Sequence, residues 1–329
     1  MSFLAYLLKP LAYISLPVMV LHTLSQSSPL VRYYVRLGIY LSALGVCSVW
    51  GVIISIAFAL VGRRFDTNWM VARTFLLLAG KPLDIKFQVE GEEHLSKGPA
   101  ILIGNHQSML DVLYLGRILP KRSSIMAKKE LQWMPLLGQF MTLSGAVFVD
   151  RGNNAKAVRS LAAASQTMKA RRISLWVFPE GTRTNKPEVD LRPFKKGAFH
   201  LAVQGGVPIT PVVVENYYRL YHKGVLDSGT LKIRILPPIP TTGLVAADVP
   251  ELAGRIREQM LAVLHELSGT QPSISEDPIP SSTNDPSQET VISTPTDESA
   301  ARIARRNGSD KGAETEEDEG MVLVDRPVS

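Results

Sequence analysis

The chain has 329 residues, 45% of them hydrophobic, with 36 Lys and Arg against 30 Asp and Glu and a single cysteine, Cys47. One cysteine excludes an internal disulfide framework and a cysteine-rich zinc site, and Cys47 sits in an apolar run without the polar neighbours that would make it a nucleophile. The net charge of +6 is unevenly placed: residues 269–329 hold 13 acidic and 5 basic residues, and the rest holds 17 and 31. Such a basic body suits an anionic membrane surface or a phosphorylated substrate. Nucleic acid is not expected as a partner, because no recognition-helix or zinc pattern accompanies the charge.

In chain order, residues 3–24 are apolar but broken by Lys9-Pro10 and Pro17. They read as a second membrane span or an interfacial helix, and less well as a signal peptide, lacking a basic start and a cleavage site. Residues 38–62 follow with 25 uncharged positions, enough at about 1.5 Å per residue to cross a hydrocarbon core of about 30 Å. Residues 1–63 are therefore expected to form a membrane anchor. Basic residues flank the 38–62 run on both sides, so they set no orientation.

From 64 to 268 the pattern is that of an α/β domain. Short apolar runs at 100–104, 124–127, 146–149, 173–178 and 208–214 read as buried strands. Helical patterns at 108–119, 153–170 and 196–203 alternate with them, which predicts a largely parallel central sheet flanked by helices. A further strand at 232–236 and a last helix at 249–267 complete the domain. Residues 269–329 are rich in Ser, Thr, Pro and acids and too poor in large apolar groups to fold, so they read as a disordered tail.

Four strand candidates run into polar residues: Asn105-His106, Lys128-Lys129, Asp150-Arg151 and Pro179-Glu180-Gly181-Thr182-Arg183. Ligands of open parallel sheets bind beyond the carboxyl ends of the strands, so this set is expected to meet on one rim. His106 and Asp111 are five apart. They can touch only if His106 lies in the loop and Asp111 in the first helical turn, with Ser108 as the N-cap. There the carboxylate would fix the imidazole tautomer and leave the other nitrogen as a general base. The same spacing also fits a plain capping box, in which Asp111 only bonds backbone. Arg183, helped by Arg151, could fork onto phosphate oxygens, or Arg183 could simply pair with Glu180 at the surface. The motifs of ATP-, NAD-, serine-hydrolase and zinc-protease sites are absent, and the other histidines show no metal spacing.

Asn-His-Gln-Ser-Met-Leu-Asp (105–111) with Phe-Pro-Glu-Gly-Thr-Arg (178–183) resembles the paired signatures of the glycerolipid acyltransferases, above all the fungal 1-acyl-sn-glycerol-3-phosphate acyltransferases. The blocks at 127–138, 145–151, 194–202 and 207–214 are similar as well, so the resemblance covers roughly 38–267. It implies that His106 is the base and Asp111 its orienting partner. It further implies that Glu180, Gly181, Thr182 and Arg183 hold the acceptor, with Arg151 and Lys128 or Lys129 on its phosphate. The implied reaction moves an acyl group from acyl-CoA, a substrate, to lysophosphatidic acid at a lipid bilayer, giving phosphatidic acid for phospholipid and triacylglycerol synthesis. No metal or cofactor is implied. The membrane implied is that of the endoplasmic reticulum, with the lipid droplet a second location. Alternatives are another lysophospholipid or glycerol-3-phosphate as acceptor, or a non-catalytic lipid-binding scaffold.

Overall fold

Strands that are apolar on both faces need cover on both sides, and the buried runs of this chain obtain it from two groups of helices. The structure, a computed structural model, describes residues 28–269 except 97 and 151–153, together with Val20, Thr23, Ser25 and Gln26. The central sheet holds β1 (Ile85–Glu90), β2 (Ile101–Gly104), β3 (Ser123–Lys128), β4 (Val147–Val149), β5 (Ser174–Val177), β6 (Ile209–Val214) and β9 (Gly229–Ile235). Their order is β1-β9-β6-β2-β5-β3-β4. The five strands from β6 to β4 are mutually parallel, whereas β9 runs antiparallel to β6 and carries β1 parallel to itself. The expected α/β class with a largely parallel sheet is what forms.

One helical group contains α1 (Pro29–Leu60), α2 (Thr67–Phe75), α3 (Asp111–Ile118) and α4 (Leu137–Leu143), packed α1 on α2, α2 on α3 and α1 on α4. The other contains α5 (Asn154–Arg171), α6 (Gly197–Gly205) and α7 (Val249–Leu267), packed α5 on α6 and α6 on α7. Gly116 of α3 allows the close approach to α2, since a Cβ there would lie 2.6 Å from the Ala72 carbonyl oxygen. A small hairpin, β7 (Tyr221–His222) with β8 (Val225–Leu226), packs through β8 against α1.

Several elements escaped the sequence pattern. β1 is an edge strand whose residues alternate between sheet and solvent, so its Lys86, Gln88 and Glu90 hide the apolar signal. α2, α4 and the hairpin are short and owe their form to tertiary packing. The helix expected from 108 starts its regular turns at Asp111, three residues later.

α1 is long and apolar enough to cross a membrane. It begins nine residues before the uncharged run, with Pro29 in its first turn, where proline's fixed φ suits a helix start. The helix is seated on the α/β domain along its length. Arg36 donates to the Leu83 carbonyl, Tyr40 packs edge-on against Phe75, and Gly51 lies beneath Phe140 of α4. Beyond its end, Arg64 donates to the Thr142 and Leu143 carbonyls at the end of α4. The opposite face, with Leu41, Val46, Val49, Ile53 and Ile56, is exposed. The expectations for 3–24 and for the tail lie outside the described residues, apart from Val20, Thr23 and Gly269.

Candidate active site

The site begins at the C-terminal end of β2, fully buried at the centre of the sheet. Asn105 ties this end to β6: its amide nitrogen donates to the Val214 carbonyl (2.8 Å) and its oxygen accepts from the Val214 N–H (2.9 Å). Gln107 adds a bond to the Glu215 carbonyl (2.9 Å). His106 stands between these two anchors, its ring stacked on Phe178 at 4.1 Å. Two flanking residues thus fix the backbone while the imidazole stays 19% exposed.

His106 Nδ1 lies 2.6 Å from Asp111 Oδ2. A carboxylate only accepts, so Nδ1 carries the hydrogen and Nε2 keeps its lone pair. The same Oδ2 accepts the backbone N–H of Gln107 (3.0 Å) and of Ser108 (3.3 Å). Ser108 Oγ accepts the Leu110 N–H (3.0 Å) in the turn that precedes α3; the N-cap position of the helix itself is held by Leu110, without a side-chain cap, so Ser108 is not the N-cap that the spacing predicts. The backbone bonds and the histidine contact, which spacing alone leaves as alternatives, are made by one carboxylate at once.

The other Asp111 oxygen is held by Tyr217, whose hydroxyl donates to Oδ1 at 2.5 Å and meets Ser108 Oγ at 2.9 Å. Complete burial, with Asp111 alongside, pushes the Tyr217 phenol far above the ordinary tyrosine value, so it remains a donor. Tyr217 carries no local signal in the sequence, lying 106 positions from its partner. Asn105 and Gln107 flank the histidine as polar residues at the end of a buried strand, the one cue that marks them.

Glu180 is buried and does not pair with Arg183, which removes the surface ion pair as a reading. Its carboxylate accepts the His106 N–H (2.7 Å), the Arg192 N–H (3.1 Å) and the Thr184 hydroxyl (3.2 Å). Thr184 N–H in turn donates to the His106 carbonyl at 2.8 Å. The two signatures are thereby stitched together, with Gly181 turning the second of them between Glu180 and Thr184 at φ 72°, a conformation other residues resist. Arg183 projects from this loop, exposed, without an ion pair among the described residues, and within electrostatic reach of the Tyr40 and Tyr221 hydroxyls. A cleft opens here, lined by His106, Glu180, Thr184, Asp190, Asn216 and neighbouring side chains.

The family model described as Acyltransferase matches residues 86–215, spanning both signatures. The chain is 43% identical over 250 residues to the 1-acyl-sn-glycerol-3-phosphate acyltransferase of Saccharomyces cerevisiae, covering 75% of this chain and 82% of that protein. The chain belongs to the 1-acyl-sn-glycerol-3-phosphate acyltransferase family. The human acyltransferase alpha of the same name is 37% identical over 251 residues, 75% of this chain and 87% of the human one. In fold, the chain is similar to the crystal structure of the 1-acyl-sn-glycerophosphate acyltransferase PlsC from Thermotoga maritima. The TM-score is 0.58 at 24% identity, over 72% of this chain and 98% of that one.

Within this acyltransferase, His106, Asp111, Glu180, Gly181, Thr182 and Arg183 come together around one loop. Lys128 ends β3 on the same edge of the parallel strands but two strands from β2, paired with Glu130 at 3.4 Å. Lys129 pairs with Asp150 at 3.0 Å. Arg151 lies outside the described residues.

Burial raises the Glu180 carboxyl above the ordinary glutamate range, although its hydrogen bonds pull the other way. The folded state therefore holds this proton more tightly than the unfolded chain, and stability declines as pH climbs through the raised value. Glu180→Gln cannot ionise. Urea unfolding from acid to neutral pH should show the wild type losing stability relative to this variant, whereas parallel curves would contradict the assignment.

Proposed function

We propose that the enzyme transfers an acyl group from acyl-CoA to the sn-2 hydroxyl of lysophosphatidic acid, with His106 as general base. The observation that carries this reading is the His106 Nδ1–Asp111 bond, which leaves Nε2 as the available nitrogen of a partly exposed imidazole in the loop cluster that also bears the exposed Arg183. Nε2 takes the proton from the acceptor hydroxyl as its oxygen attacks the thioester carbonyl. The tetrahedral adduct collapses with cleavage of the carbon–sulfur bond, and the departing thiolate receives that proton from the imidazolium, releasing phosphatidic acid and CoA. Aspartate stabilises the imidazolium while it exists. No side-chain nucleophile is required.

Arg183 offers a guanidinium fork to the acceptor's phosphate. A charge-assisted hydrogen bond contributes about 1.5–3 kcal/mol, so Arg183→Ala should raise KM for lysophosphatidic acid by about tenfold to a hundredfold. Its kcat should change much less. Both substrates are amphiphiles, and the exposed apolar face of α1 supports a seat at a bilayer, which the family resemblance implies is that of the endoplasmic reticulum. Thiol release from acyl-CoA by the purified protein, with and without lysophosphatidic acid, tests the reaction. Release that ignores this acceptor, or prefers glycerol-3-phosphate or another lysophospholipid, would refute it.

A further inference from the structure

β3 leaves the catalytic edge through Lys128 and enters a tight 3-10 turn, Lys129–Trp133, before α4. This connection shows large apolar side chains to solvent: Trp133 is 76% exposed, Leu136 48% and Met134 45%. Trp133 is the most exposed aromatic side chain among the large hydrophobic residues described. The backbone is stapled so that these side chains stay outside. Gly138 tucks under the turn, where a Cβ would lie 2.1 Å from the Gln132 carbonyl oxygen, and its N–H donates to the Met134 carbonyl at 2.7 Å. Leu136 is the centre of a γ-turn of the rare strained hand, at φ 62° and ψ −52°, with the Leu137 N–H donating to the Pro135 carbonyl at 2.7 Å. Strain held at a non-glycine residue persists only where the surrounding structure enforces it, and it gathers at functional segments.

We infer that the Trp133–Leu136 segment inserts into the lipid interface beside α1 and seats the catalytic edge at headgroup level. Continuity argues for a bilayer as the occupant. The segment leads directly into α4, which packs on α1 through Phe140 over Gly51 and whose Leu143 is itself exposed, so these apolar side chains stand beside the helix long and apolar enough to cross a membrane. Lys128 and Lys129 stand at the start of the segment about half exposed, each beside a carboxylate, Glu130 and Asp150, so the apolar side chains and not net charge would drive the insertion. Tryptophan favours the boundary between headgroups and acyl chains. Insertion there brings the edge bearing His106 to the depth at which a membrane-borne acceptor presents its glycerol hydroxyl. The inference rests on the membrane reading of α1 and not on the assignment of the base.

The test uses the full chain, with Trp133→Cys in a Cys47→Ala background, labelled with an environment-sensitive fluorophore. The protein is reconstituted with phosphatidylcholine vesicles carrying phosphatidic acid, with and without brominated acyl chains. A blue-shifted emission quenched by the brominated lipid is expected. In parallel, Trp133→Gln with Met134→Gln should raise KM for vesicle-borne lysophosphatidic acid on the order of tenfold, as lost interfacial apolar area requires. The same variant should act normally on a short-chain acceptor dispersed in water. Water-like, unquenched emission overturns the inference even if the enzyme is active. So does a variant equally impaired on both acceptors, which would place the segment in the chemistry or the fold. Emission shielded by self-association without lipid, and indifferent to bromine, assigns the surface to a second copy of the chain and overturns it too.

Discussion

His106→Ala should reduce acyl transfer by about 10³-fold or more, near the upper range of what a positioned general base contributes, and leave the fold intact. The imidazole is partly exposed, holds one side-chain hydrogen bond and stacks on one ring, so its removal opens little space in the core. The backbone at this position is pinned independently, through its N–H to Glu180 and its carbonyl to the Thr184 N–H. Purified variant protein should therefore melt close to the wild type while thiol release from acyl-CoA disappears. A variant that keeps most of its transfer activity would remove His106 from the mechanism.

Asp111→Asn is the second severe change, with an expected loss in kcat of about 10²–10⁴-fold, by analogy with aspartates that orient a catalytic histidine. The environment predicts how the new side chain sits. Three donors converge on Oδ2, from His106, Gln107 and Ser108, so the amide oxygen takes that position and its NH2 group turns toward Tyr217. Tyr217 can then redirect its proton to Ser108, which is 2.9 Å away. The folded site tolerates the exchange; what disappears is the negative charge that stabilises the imidazolium. Tyr217→Phe removes the other contact of the same carboxylate, a hydrogen bond to a charged group, and should cost about tenfold or more in kcat. With one donor fewer, the carboxylate holds the imidazolium more strongly, so the acidic limb of the pH–rate profile should move to higher pH. A uniform loss of activity with an unmoved profile would reduce Tyr217 to a packing residue.

The central strands were legible because they are buried on both faces and read as continuous apolar runs, as in Ile101–Gly104 and Ile209–Val214. Their polar ends, converging on one edge, gave the catalytic loop its place. β1 was invisible because its pattern alternates at the sheet edge, and Tyr217 because its pairing with Asp111 joins residues 106 positions apart that the adjacent strands β6 and β2 bring together. Glu180 was legible as a site residue, but its partners were not: a carboxylate beside an arginine suggests a surface ion pair. Only the folded chain shows that it is buried against the backbone of the histidine loop.

The Tyr40 hydroxyl of α1 donates to the Met109 carbonyl at 2.5 Å, within the turn that joins the catalytic histidine to its aspartate. A shortened protein prepared without α1, in the hope of a conveniently water-soluble enzyme, would lose more than a tether. It would lose a prop of the reaction centre, and poor turnover by such a fragment would say little about the intact catalyst.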